Sequence, residues 1–93
     1  MSSKAERRAA RETVAAYHEE QLGRLVEYVA YAIDRHRAGE LDAFDVDAVV
    51  FQYSRAAKEL WKFCNLTNVE IAALVIAEHT PADWWGRGAP RQR

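Results

Sequence analysis

Apolar positions return along the first third of the chain with the three- and four-residue spacing of a helix. At 100° per residue, His18, Leu22, Leu25, Val26, Val29, Ile33 and His36 fall within one arc, while Glu20, Glu27 and Asp34 repeat every seven residues on the opposite side. The charged stripe reads as a solvated face, supported by Glu20 and Arg24 in the favourable i,i+4 order. Tyr17, Tyr28 and Tyr31 form a flanking stripe, so this segment presents more apolar and aromatic surface than one neighbouring helix covers.

Start and stop signals bound the elements. Ser3 with Glu6 has capping-box spacing, Arg35, His36 and Arg37 suit a last turn, and Gly39 suits a left-handed C-cap, which predicts helix 1 over about 4–38. Gly23 inside it costs about 1 kcal/mol relative to Ala without breaking the pattern. Asp42 and Asp45 open helix 2, over about 43–64, with Leu41 and Val46 spaced as a hydrophobic staple. Its inward face is predicted to carry Val46, Val49, Val50, Tyr53, Ala57, Leu60, Trp61 and Cys64, leaving Arg55, Lys58 and Lys62 outside.

A second capping box, Thr67 to Glu70, predicts helix 3 over about 68–79, closed by Pro81. This helix is apolar almost all round. Val69, Ala72, Ala73 and Ile76 share one side while Ile71, Leu74 and Val75 lie on others, so more than one face needs cover. Residues 80–93 form an aromatic turn and a basic tail, in which one further helical turn carries Trp84 and Trp85 as far as Gly86. Adjacent tryptophans point about 100° apart, so one is expected to pack on the body, near Trp61 and Phe63, and the other to face outward.

No strand signal interrupts this pattern. The expected fold is all-α: a single domain, 1–93, with a long antiparallel helical hairpin and a third short helix, its bundle completed by dimerisation through helices 1 and 3. Helix 1 is longer than helix 2, so its Arg-rich N-terminal segment should project.

Composition sharpens this reading. Of the 49% hydrophobic residues, 17 are Ala, which buries little, and 93 residues make a marginal core, so oligomerisation is expected. A lone Cys64 excludes an internal disulfide, the opening "MSSKAERRAARE" lacks a signal-peptide pattern, and no apolar run is long enough for a membrane span. Together they predict a cytoplasmic protein with no membrane association. The excess of Arg over Lys, with the many alanines, suggests a GC-rich bacterial coding genome. Net charge is −1, but basic ends flank an acidic body.

The segment "DRHRAGELDAFD" resembles an EF-hand loop, with Asp34 first, Gly39 sixth, Leu41 eighth, Asp42 ninth and Asp45 twelfth. His36 and Ala38 occupy the third and fifth positions and Asp replaces the bidentate Glu, so a Gly C-cap followed by an Asp N-cap explains the residues better. His18 and His36 lie too far apart to share a metal within one chain, although an antiparallel second chain would bring them together. No histidine has the Glu three residues before it that a di-iron helix needs. "LTNVEIAALV" resembles the first helix of a helix-turn-helix, but the continuation stays apolar and then meets Pro81. Cys64 reads as a small core residue.

Neither catalysis, a cofactor nor a metal is expected. The leading expectation is a small helical binding or scaffolding protein that self-associates as a homodimer, with Tyr28, Tyr31, Ile71, Leu74, Val75, Trp84 and Trp85 as the candidate surface for the second copy or a protein partner. The alternative is a nucleic-acid-associated accessory protein whose Arg7, Arg8, Arg11, Arg87, Arg91 and Arg93 contact phosphates.

Overall fold

Each helix begins where a short polar side chain satisfies the first free backbone amides. In the computed structural model, which describes residues 3–79 and 82–90, Ser3 Oγ accepts from the Glu6 amide at 3.1 Å and opens α1 (Lys4–Arg37). α1 closes at Gly39, whose φ of +79° suits a residue without Cβ. The Gly39 amide donates to His36 O at 3.0 Å and the Glu40 amide to Arg35 O at 2.9 Å, the paired bonds of a Schellman motif.

Asp42 and Asp45 then cap each other's amides, at 2.8 and 3.0 Å, and start α2 (Ala43–Leu66). The residues that resemble a calcium loop are thus occupied as a C-cap followed by an N-cap. α3 (Val69–Ala77) departs from expectation at its start. Asn68, not Thr67, is the cap, its Oδ1 accepting from the Glu70 amide at 3.0 Å and the Ile71 amide at 3.2 Å. α2 runs two residues past Cys64, so Thr67 serves as its extended C-cap residue and Asn68, a stronger N-cap former than Thr, starts the next helix. The chain bends by 116° between α2 and α3. α3 ends at Ala77, two residues before the expected end, because His79 adopts a left-handed φ of 53°. Asp83 caps a final turn, α4 (Trp84–Arg87), accepting from the Gly86 amide at 2.9 Å.

The fold is therefore all-α, with no strand among the described residues. α1 is the spine against which the other three pack: α2 along much of it, α3 across its first half, and α4 between α1 and α2, mainly on α2. Val14 and Leu25 of α1, Ala56, Leu60 and Cys64 of α2, Ala72 of α3 and Trp84 of α4 form the buried cluster.

Two faces are rotated from the sequence reading. On α2 the buried line is Ala56, Leu60 and Cys64, with Phe63 half-buried, whereas Val50 and Trp61 are exposed. α4 occupies the flank of α2 that carries Gln52, Arg55 and Ala56, and this turns the covered arc away from Val50 and Trp61. On α1 the buried positions are Ala10, Val14, Leu25 and Ala32, while Val26 and His36 are exposed. The α1 residues before Ala10 are all exposed.

The molecule measures 56 × 30 × 18 Å with a radius of gyration of 16.2 Å, against about 12 Å for a compact chain of this length. Among the described residues, no single helix is long and apolar enough to cross a membrane.

Candidate functional site

The two tryptophans divide as their 100° offset requires. Trp84 turns inward and is 4% exposed. Its indole Nε1 donates to Tyr17 Oη at 2.8 Å, and its ring lies 5.5 Å from that of Phe63, which in turn meets Tyr17 edge-on at 6.0 Å. Arg87 stacks its guanidinium over the outer face of Trp84 at 4.4 Å. Trp84 therefore leaves the candidate partner surface and joins the core. Trp61, expected in the same cluster, is half exposed and takes no part in these ring contacts; Phe63 supplies the packing, because α2 has turned that side inward.

Trp85 is half-buried and stacks parallel on Tyr28, with ring centroids 4.1 Å apart and planes within 1°. Backbone ties from α2 hold this turn in place. Gln52 Nε2 donates to Trp85 O at 2.9 Å and Arg55 Nε to Gly88 O at 2.6 Å, with Gly88 buried against the α2 backbone. Sequence reasoning placed Arg55 on the free outer face and missed this role. The one available signal was the Gly86 and Gly88 pair after the tryptophans, since close backbone approach requires such residues.

The remaining surface candidates separate into two places. Tyr31 is 65% exposed beside Tyr28, with the Arg35 guanidinium 5.6 Å from its ring centre. Ile71 and Leu74 are 56% and 60% exposed on α3, which packs near the other end of α1, and Val75 is half-buried there. These residues do not share one continuous patch with Tyr28 and Tyr31. A third apolar surface, which sequence reasoning passed over, lies on the outer side of α2, where Phe44 and Phe51 are 85% and 58% exposed. Their seven-residue separation was the readable signal.

Between α1, α3 and α4 lies a cleft of about 660 Å³, a volume suited to a small ligand. Its wall is apolar where Phe63, Val75 and Ile76 line it, and polar where Arg24, His79 and Arg87 do. Arg24 is paired with Glu20 at 2.9 Å, the pair anticipated from the sequence. Tyr17 also lines the cleft; having accepted from Trp84, its hydroxyl retains its own proton to donate. The lining offers donors, positive charge and apolar wall, but no nucleophile hydrogen-bonded to a base among the described residues.

Cys64 lies outside this cleft. It is 9% exposed, and burial pushes its thiol pKa up, so the reactive thiolate is disfavoured. No group of three His, Cys, Asp or Glu side chains converges among the described residues. His36 Nδ1 donates to Leu41 O at 2.9 Å and so braces the connection between α1 and α2, while His18 is half-buried farther up α1. Of the candidate phosphate contacts, Arg7, Arg8 and Arg11 are exposed on the first turns of α1, Arg87 is drawn over Trp84, and Arg91 and Arg93 lie outside the described residues. Compared with family models, curated proteins and solved structures, the chain matches none of them.

Proposed function

We propose that this chain is a non-catalytic helical binding or scaffolding module that works as a homodimer, its α1–α2 antiparallel hairpin contributing to a bundle completed by the second copy. The observation that carries this reading is surface area. The chain exposes 7091 Å², whereas a compact monomer of 10.6 kDa exposes about 5,500 Å². The excess of roughly 1,600 Å² exceeds the ~800 Å² per partner that a standard stable interface covers.

The exposed residues agree with that sum. Among the described residues, ten large apolar side chains are at least 42% exposed, whereas Leu60 is the one large side chain that is fully buried. A surface of that kind on a small chain is characteristic of an interaction protein. Sedimentation equilibrium across micromolar concentrations tests the reading: a mass near twice 10.6 kDa is expected, and a clean monomer throughout the range would refute it.

A second reading rests on one observation. Lys4, Arg7, Arg8 and Arg11 are all exposed and, at 100° per residue, fall on one side of α1. Such a basic face suits phosphate contacts whose affinity falls steeply with salt. Titration of a fluorescently labelled duplex at two salt concentrations decides it, since no binding at about 50 mM salt removes it.

A further inference from the structure

The outer face of α2 carries a pattern that packing within the chain does not use. Phe44, Asp47, Phe51, Ser54, Lys58 and Trp61 follow one another at alternating spacings of three and four residues, and all six are exposed. That spacing is the seam of a two-helix coiled coil, in which each residue meets a hole on a facing helix. Here the seam faces solvent, on the side of α2 away from its buried line of Ala56, Leu60 and Cys64.

The order of residues in this seam is self-complementary when reversed. About a two-fold axis passing between Gln52 and Tyr53, Phe44 stands at the level of Trp61 of a second copy, Asp47 at the level of Lys58, and Phe51 at the level of Ser54. Aromatic meets aromatic, acid meets base, and a large ring near the axis meets a small side chain. A parallel pairing would instead set Asp47 against Asp47 and Lys58 against Lys58, which like-charge repulsion disfavours. Neither Asp47 nor Lys58 has an ion-pair partner among the described residues, so both charges are available across such a seam.

We infer that α2 is the dimer seam and that its occupant is α2 of a second copy, crossing antiparallel. This inference rests on the self-association proposed above and names its surface. It moves the interface from helices 1 and 3, where the apolar periodicity of the sequence placed it, to the outside of α2. A second copy covers Phe44, Phe51 and Trp61 together, the most exposed aromatic group on one helix face. The surface excess of the monomer is large enough for such an interface.

Charge reversal tests the pairing and its register together. In Asp47→Lys, two lysines meet at each of the two symmetric contacts, and in Lys58→Asp two aspartates do. Each variant alone should therefore dimerise at least about tenfold more weakly than the parent chain. Mixed in equal amounts, the two should form a heterodimer, because lysines at 47 and 58 then face aspartates at 58 and 47. The double variant Asp47→Lys/Lys58→Asp should dimerise like the parent. Sedimentation velocity reads all four samples, with far-ultraviolet circular dichroism showing that the exposed substitutions leave the helices intact.

The outcomes separate the two claims. A monomeric parent chain refutes self-association and this seam with it. A dimeric parent with both single variants equally dimeric leaves self-association standing and overturns the α2 seam. Weakened single variants that recover neither on mixing nor in the double variant overturn the antiparallel register.

Discussion

Gly88 and Gly23 should respond to the same substitution with opposite signs. A Cβ placed on Gly88 would lie 2.5 Å from Gln52 O, 2.6 Å from Ala56 N and 2.7 Å from Ala56 Cβ, all well inside van der Waals contact. Two of these atoms belong to the α2 backbone, so no rotamer change relieves the clash and α4 has to move outward. Full undocking would expose Trp84. At about 150–250 Å² for a buried Trp and ~25 cal/mol per Å², reduced by 10–40% for a compact unfolded chain, that loss is about 2–5 kcal/mol. A partial shift costs less, about 1–3 kcal/mol for overpacking, with the short Arg55 to Gly88 O bond the first to lengthen. The chain should take the cheaper route, so Gly88→Ala is expected to lower stability by about 1–3 kcal/mol, or roughly 4–8 °C in Tm for each kcal/mol. Gly23 has nothing within 4 Å of its own Cβ position, so Gly23→Ala should add about 0.5–1 kcal/mol through helix propensity alone. Thermal melts followed by circular dichroism at one fixed protein concentration, with acrylamide quenching of tryptophan emission, compare the three proteins. An unchanged melt and unchanged quenching in Gly88→Ala would refute the docking of α4 against α2.

Leu60→Ala, at a fully buried position, should cost about 2–5 kcal/mol in denaturant unfolding, whereas Lys62→Ala, which loses only an exposed pairing with Glu59, should stay within about half a kcal/mol. Tyr17→Phe removes the acceptor of the Trp84 indole N–H and should cost about 1–3 kcal/mol, with Trp84 emission changed in the folded state. Because burial raises the Cys64 pKa in the folded state, its contribution to stability is complete below the unfolded thiol value, about 8.5, and is lost as pH rises toward the folded value. Urea melts between pH 7 and 10 should show that decline, and Cys64→Ala should remove the part due to the thiol. In the native protein at pH 8, thiol labelling should be slow and should speed up only on unfolding.

The helices were legible because their boundaries are set locally. Ser3, Gly39 and Asp42 with Asp45 each act through backbone groups within a few residues, and the structure uses all three. Thr67 was misread because Asn68 beside it caps more strongly, and the choice depends on how far α2 runs. The faces were less legible. Periodicity identified an apolar arc on α2 but not which half of that arc α4 covers, so Ala56 was missed and Val50 and Trp61 were placed inside. Small residues carry little hydrophobic signal, and Ala10, Ala32, Ala56 and Ala72 are buried because helices approach closely there. Of the site candidates, Trp84 and Trp85 were separable by angle alone, whereas the grouping of Tyr28 and Tyr31 with Ile71 and Leu74 failed because it needed the path of the chain after α2.

The bond between Trp84 and Tyr17 joins residues 67 apart in sequence, while α1 and α2 are joined through residues 38–42 alone. Closing the long span costs more chain entropy, so pairing of α1 with α2 has the shorter route to formation and docking of α4 comes late. Contacts that form after the folding barrier have little influence on how fast the chain folds and a large influence on how fast it opens. On this argument α4 acts as a latch: it should set the lifetime of the folded state, and its release should be the first step by which the aromatic cluster becomes exposed to proteases and to other chains.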